Sequence, residues 1–217
     1  MRKKRAIVFD FDGTLCLSYP LCEGKLVEAL SKFRSEELSE EEKRLINGPT
    51  EEGIIKVLIK NKGKARKCFY EYLRLYSGAH EELLKDFVPG MRELLEELNL
   101  KGVNVYLLTG RCKETTAISL SKLDGFKYFK SMYTGGIDGA IKDQTLKELA
   151  EDEELALNEI LYVGDALNDV TQCKKVGVDI ISVSYNDPSI HEKLEEINPG
   201  NVSKNVKELR AKILYLI

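Results

Sequence analysis

Asp10 and Asp12 stand two residues apart at the end of the apolar run Ala6-Ile7-Val8-Phe9, and Gly13 follows directly. Two carboxylates so close repel each other unless a cation or a proton intervenes. Thr109 and Gly110 follow a second apolar run, Asp165 and Asp169 follow a third, and Lys142 stands just before a helical pattern. The oxygen donors of Asp10, Asp12, Asp165 and Asp169 suit Mg2+, which prefers carboxylates, waters and phosphate oxygens. Adding Lys142, the Thr109 hydroxyl and the helix amino termini after Thr109 and Asp165 suits the set to a phosphoryl group. Transfer of such a group depends mainly on positioning and charge stabilisation. In such a set one aspartate can act as nucleophile and another as acid, then base. Each feature alone has a plainer explanation. D-x-D-G is a common turn after a strand, Thr109 or Asp165 can cap the helix that follows, and a single lysine is ordinarily solvated. Their joint placement at strand ends favours a site.

Strands and helices alternate in a way that puts these residues on one edge of a sheet. Apolar runs at 6–9, 103–108, 159–163 and 179–183 read as buried parallel strands, with a short strand within 128–133. Helices are expected over 91–99, 113–122, after Lys142, around Asn168 and Asp169, and at the carboxyl end through Leu209, Ile213 and Leu214. The turn Asn198-Pro199-Gly200-Asn201 separates that last helix from the one before it. Such alternation predicts a parallel sheet with right-handed crossovers, with ligands at the carboxyl ends of the strands. Strand alternation would aim Asp10 and Asp12 the same way.

Residues 16–87 break the alternation. They read as four or five helices without a strand. One begins at Ser39 with Glu42 completing a capping box, and one is capped by Thr50. Breaks are expected at Asn47-Gly48-Pro49 and Asn61-Lys62-Gly63, and a longer helix carrying Phe69, Tyr72, Leu73 and Tyr76 is expected to end at Ser77-Gly78. Gly135-Gly136-Ile137-Asp138-Gly139 reads as a loop. The organisation is thus an α/β core of residues 1–15 and 88–217 with a helical insertion at 16–87.

Composition narrows the function. The 217 residues carry a net charge of −3, which gives no general attraction to nucleic acid or an anionic membrane. No apolar run reaches the roughly 18–20 residues that span a bilayer, and Asp10 interrupts the run after Lys3-Lys4-Arg5 too early for a signal peptide. A cytoplasmic protein is expected. Five scattered cysteines, without a C-x-x-C pair, argue against a disulfide framework or a zinc site. His80 and His191 lie far from any nucleophile motif, which disfavours a histidine-based triad.

These motifs resemble those of the haloacid dehalogenase-like superfamily along the whole chain. Phe9-Asp10-Phe11-Asp12-Gly13-Thr14-Leu15 is similar to its first motif, Leu107-Leu108-Thr109-Gly110-Arg111 to the second, Lys142 to the third, and Gly164-Asp165-Ala166-Leu167-Asn168-Asp169 to the fourth. The resemblance implies a Rossmann-like core with an inserted all-helical cap, as in phosphoglycolate-phosphatase-like members. It implies that Asp10 attacks phosphorus and that Asp12 protonates the leaving oxygen and then activates water. Thr109, Gly110 and Lys142 would hold the phosphoryl group. Mg2+ would be bound by Asp10, the Asp12 backbone carbonyl and Asp165, with Asp169 in support. The second acid, Asp12, favours phosphate esters over carbon–halogen bonds, and the implied partner is a small phosphorylated metabolite, phosphoglycolate first among the candidates.

Three departures from the pattern stand out. Thr109-Gly110-Arg111 replaces the usual Ser-Asn-Lys, and Arg111 either meets substrate or braces its loop. Lys142 is not followed by prolines. Asn47-Gly48-Pro49, similar to the cap's specificity loop, lacks the arginine that phosphosugar mutases use there. A mutase or phosphotransferase, using lysines such as Lys25, Lys56 or Lys60, is the alternative. A phospho-switch of the response-regulator kind would place its acceptor on a later strand and carry no cap.

Overall fold

The computed structural model describes residues 3–45, 50–136 and 142–217. Among them, six strands form one parallel sheet: β1 (Ala6–Phe9), β2 (Asn104–Leu108), β3 (Ser131–Tyr133), β4 (Ile160–Gly164), β5 (Asp179–Val183) and β6 (Val202–Ser203). Their order is β3-β2-β1-β4-β5-β6, the order of the Rossmann fold. Four helices precede the return to the sheet: α1 (Tyr19–Phe33), α2 (Glu40–Leu45), α3 (Glu51–Leu58) and α4 (Lys62–Leu83). The remainder are α5 (Met91–Leu100), α6 (Lys113–Lys122), α7 (Lys142–Asp152), α8 (Leu167–Val176), α9 (His191–Ile197) and α10 (Val206–Leu216).

The central strand shows why both faces must be covered. All four residues of β1 are buried, and a strand sends alternate side chains to opposite faces. Ile7 and Phe9 join a core with Leu21, Tyr72, Met91, Leu94 and Leu209, whereas Ala6 and Val8 join one with Tyr106, Leu146, Tyr162, Val170 and Leu194. Helices α1, α4, α5 and α10 thus cover one face and α7, α8 and α9 the other. Val8 pairs with Tyr106 on one side and Tyr162 on the other.

Two expected helix starts are present in detail. Ser39 and Glu42 form the reciprocal capping pair, each accepting from the other's backbone N–H at 3.2 and 3.0 Å, and Thr50 Oγ1 accepts from Gly53 N at 3.2 Å.

Other expectations need correction. Asn61 caps α4 rather than lying in a longer break, accepting from Lys64 N at 2.9 Å. Helix α4 also runs through Ser77-Gly78 to Leu83. A mid-helix glycine costs about 1 kcal/mol, but Tyr76 and His80 on either side are buried against Ser119 of α6. That tertiary packing outweighs the local preference. Strand β6 was not expected, since two residues carry no periodicity. The proposed breaks at Asn47-Gly48-Pro49 and Ile137-Asp138-Gly139 lie outside the described residues.

Candidate active site

The strand order turns back on itself between β1 and β4, and in such sheets the crevice opens beyond the carboxyl ends of those two strands. Asp10 follows β1 directly, its backbone N still donating to Val163 O at 2.9 Å. Asp165 follows β4 directly. Gly13 makes their approach possible. It has φ +70°, and a Cβ there would lie 1.9 Å from Asp165 Oδ2. Gly13→Ala should therefore displace Asp165 and lower the melting temperature, with phosphate release falling at least about tenfold, the scale of a small misplacement of a reacting group. Gly102→Ala is the control. It shares a positive φ of +73° but has open space around the added methyl, so it should lower stability and leave turnover alone.

One oxygen each from Asp10, Asp165 and Asp169 lie within 4.8 Å of one another. Lys142 joins two of these acids, its Nζ donating to Asp10 Oδ2 at 2.8 Å and to Asp169 Oδ1 at 2.7 Å. Asp10 Oδ1 accepts from Phe11 N at 2.7 Å. Burial pushes the Asp10 carboxyl up to about 6, with the Lys142 charge opposing and that of Asp169 adding. Burial, then the charges of Asp10 and Asp169, push Asp165 up to about 8. Burial disfavours the Lys142 ammonium, but the two acids outweigh it and hold its proton more firmly than usual. Among the described residues no lysine or arginine pairs with Asp165, which takes only the Tyr19 hydroxyl at 3.4 Å. An all-oxygen cluster with surplus negative charge fits a hard divalent cation.

Asp12 stands apart from that cluster. β1 ends at Phe9, so strand alternation no longer governs residues 10–12, and the two carboxylates go to different partners. Arg111 grips Asp12, with Nε at 3.0 Å from Oδ1 and 2.8 Å from Oδ2, and Nη2 at 2.7 Å from Oδ1. Ser18 Oγ donates to Oδ1 as well. Burial pushes the Asp12 carboxyl up, but the Arg111 charge and these hydrogen bonds hold it below the usual carboxylate range.

The capping explanation fails for both residues it concerned. Cys112 and Ala166 occupy the N-cap positions of α6 and α8. The fully buried Thr109 accepts from Arg111 N at 3.3 Å. Lys142 lies in the first turn of α7 rather than on a loop. Asp169 Oδ2 accepts from Ala166 N at 3.3 Å. Of the mutase-related lysines, Lys25 and Lys56 pair with Glu28 and Glu52 on their own helices.

Several contacts had no signal in the sequence. The buried Glu51 of α3 accepts from Cys112 N at 2.8 Å and Thr115 Oγ1 at 2.7 Å. It thereby satisfies an amino-terminal N–H of α6 from another element. Tyr76, read as part of an apolar helix face, accepts from Arg111 Nη1 and lies 2.6 Å from Ser119 Oγ. Such pairings join segments far apart in the chain and leave no local spacing to detect.

Fold and site together define a Rossmann-like α/β protein with an acid cluster at the switch point of its sheet. The family model for haloacid dehalogenase-like hydrolases matches residues 7–183, and the chain belongs to that family, as a phosphatase. It is 27% identical to a phosphoglycolate phosphatase of Pseudomonas fluorescens, over 96% of this chain and 79% of that one. It is 26% identical to a 5'-nucleotidase of Pseudomonas aeruginosa, covering 94% and 93%. A hydrolase of family IA, variant 3, from Entamoeba histolytica shares the fold, with TM-score 0.75 at 18% identity and coverage of 99% and 100%.

Proposed function

We propose that the protein is a magnesium-dependent phosphatase of small phosphomonoesters that works through an aspartyl-phosphate at Asp10. The observation that carries this reading is the convergence of Asp10, Asp165 and Asp169 around Lys142. Asp10 attacks phosphorus. Lys142 holds the Asp10 carboxylate ionised and, with Thr109 and the Gly110 backbone, holds the phosphoryl oxygens. Accepting from Arg111 N leaves the Thr109 hydroxyl its own proton to donate. Asp12 protonates the leaving oxygen and later takes a proton from water. Mg2+ would be held by Asp10 and Asp165 with the Asp12 backbone carbonyl, Asp169 supporting, and would neutralise charge developing on the phosphoryl group. Residues 16–87 form a helical cap that excludes water and meets the organic part of the substrate.

The named relatives differ in substrate, so similarity alone selects none. Phosphoglycolate leads because the helical insertion after the first motif resembles that of phosphoglycolate-phosphatase-like members, and a phosphatase of that name is among the relatives. Lys25 and Lys56 are paired with Glu28 and Glu52, which disfavours these two as holders of a second phosphate, while Lys60 stands exposed. No helix among the described residues is long and apolar enough to cross a membrane.

The test is phosphate release from a panel of phosphorylated metabolites, with and without EDTA. Release should vanish on chelation and return with added Mg2+, with phosphoglycolate among the best substrates. Unchanged release in EDTA would remove the metal from the reading. Release confined to other esters would remove phosphoglycolate.

A further inference from the structure

The side chain of Arg111 is almost wholly buried, whereas that of Asp12 keeps about a fifth of its surface exposed (3% against 21%). Every nitrogen of the guanidinium is engaged. Nε and Nη2 take Asp12, Nη1 takes Tyr76 and Ser119, and Nη2 also meets Cys22 Sγ. Its plane lies over the Phe11 ring, 4.5 Å from the centroid. A guanidinium so committed has no donor left for substrate. Its planar fork fits a carboxylate in one orientation.

The two Asp12 oxygens are unequally loaded. Oδ1 accepts from Nε, Nη2 and Ser18, whereas among the described residues Oδ2 accepts only from Nε at 2.8 Å. Oδ2 therefore keeps a lone pair free. The anchors of Arg111 come from two regions: Phe11 and Ser119 belong to the sheet side, while Cys22 on α1 and Tyr76 on α4 belong to the helical insertion.

We propose that Arg111 is a positioning residue that clamps Asp12 with Oδ2 as the working oxygen, and that Tyr76 makes the clamp depend on α4 being seated against the core. The proposal rests on the phosphatase reading above. In the first half-reaction an Asp10 oxygen bonds to phosphorus, and the ester P–O bond breaks with its electron pair left on the departing oxygen. The anionic ester beside Asp12 offsets the Arg111 charge and raises the proton affinity of the carboxyl, and the proton then carried on Oδ2 moves to that oxygen. In the second half water attacks phosphorus, its proton passes to Oδ2, and the P–O bond to Asp10 breaks to restore the carboxylate. A carboxyl free to rotate would miss the departing oxygen. The loss should matter most where that oxygen needs a proton to leave.

Leaving-group dependence separates this role from general bracing. Phenyl phosphate and 2,4-dinitrophenyl phosphate have similar shapes, but only the first leaves as a strongly basic oxygen. Arg111→Met should lower kcat/KM for phenyl phosphate about 100-fold, the scale of general acid catalysis, and for the dinitrophenyl ester less than about fivefold. Arg111→Lys, which keeps the charge but not the fork, should show about a tenfold selective loss. Tyr76→Phe should show a smaller loss of the same kind.

Equal losses on both esters in Arg111→Lys and Tyr76→Phe, or no loss on either, overturn the clamp, and these milder variants decide the matter if Arg111→Met fails to fold. The unmodified enzyme and Asp10→Asn, run alongside, separate the two levels of the argument. Release by the first and none by the second leaves the phosphatase reading standing whatever Arg111 does. No release by the unmodified enzyme from any ester overturns both.

Discussion

Asp10→Asn is expected to cut phosphate release by roughly 10⁵-fold or more, the scale of losing a nucleophile, while the melting temperature holds or rises. The amide keeps the shape of the carboxylate and can still accept from Phe11 N, as Oδ1 does at 2.7 Å. It has no anionic oxygen with which to attack phosphorus. The stability half of the expectation comes from the crowding of acids. Asp10 is the largest charge raising the Asp165 carboxyl, and Asp169 raises Asp10 in turn. Neutralising Asp10 relieves that repulsion. Lys142 loses one partner but keeps Asp169 at 2.7 Å, so no buried cation is stranded. Phosphate release with phosphoglycolate or an aryl phosphate, together with thermal unfolding in EDTA, measures both halves. Residual activity above a few per cent would mean that another group attacks phosphorus. A large fall in melting temperature would mean that Asp10 braces the fold instead.

The same site shows where reading a sequence succeeds and where it stops. Asp10, Asp165 and Asp169 were legible because each follows or closely trails an apolar run, and parallel strands bring such positions to one edge of a sheet by topology alone. Lys142 was legible as a residue type at the head of a helix, although its ion pairs to Asp10 and Asp169 span 132 and 27 positions. The shared orientation expected of Asp10 and Asp12 failed, because alternation holds only while the chain remains a strand, and β1 stops at Phe9. The Arg111 network was out of reach for a different reason. Tyr76 and Cys22 sit at apolar positions of their helices, and nothing in helical periodicity says that a hydroxyl or thiol there will meet a guanidinium 35 or 89 residues away. Glu51 shows the same limit, being an ordinary acid in the first turn of α3 that serves another helix.

Lys142→Met is expected to lower stability by about 3–5 kcal/mol, the cost of removing one partner from a buried ion pair. For a chain of this size that corresponds to about 6–20 °C in melting temperature. Two carboxylates lose their cation at once, since Nζ lies 2.8 Å from Asp10 and 2.7 Å from Asp169. Turnover should fall about 10²–10³-fold with the loss of that charge beside the reacting group. The more informative readout is the response to Mg2+. A ligand that binds only the folded chain raises stability in proportion to the logarithm of its concentration over its dissociation constant. With the ammonium gone, the oxygens of Asp10, Asp165 and Asp169, all within 4.8 Å, attract a divalent cation more strongly than before. The rise in melting temperature on adding Mg2+ should therefore be larger in Lys142→Met than in the unmodified protein, even though the variant turns over poorly. An equal rise in both proteins would place the bound metal elsewhere. No rise in either would leave the acid cluster without the cation that its charge calls for. Because this comparison reads stability rather than activity, it tests the metal site independently of whether any particular phosphate ester is a substrate.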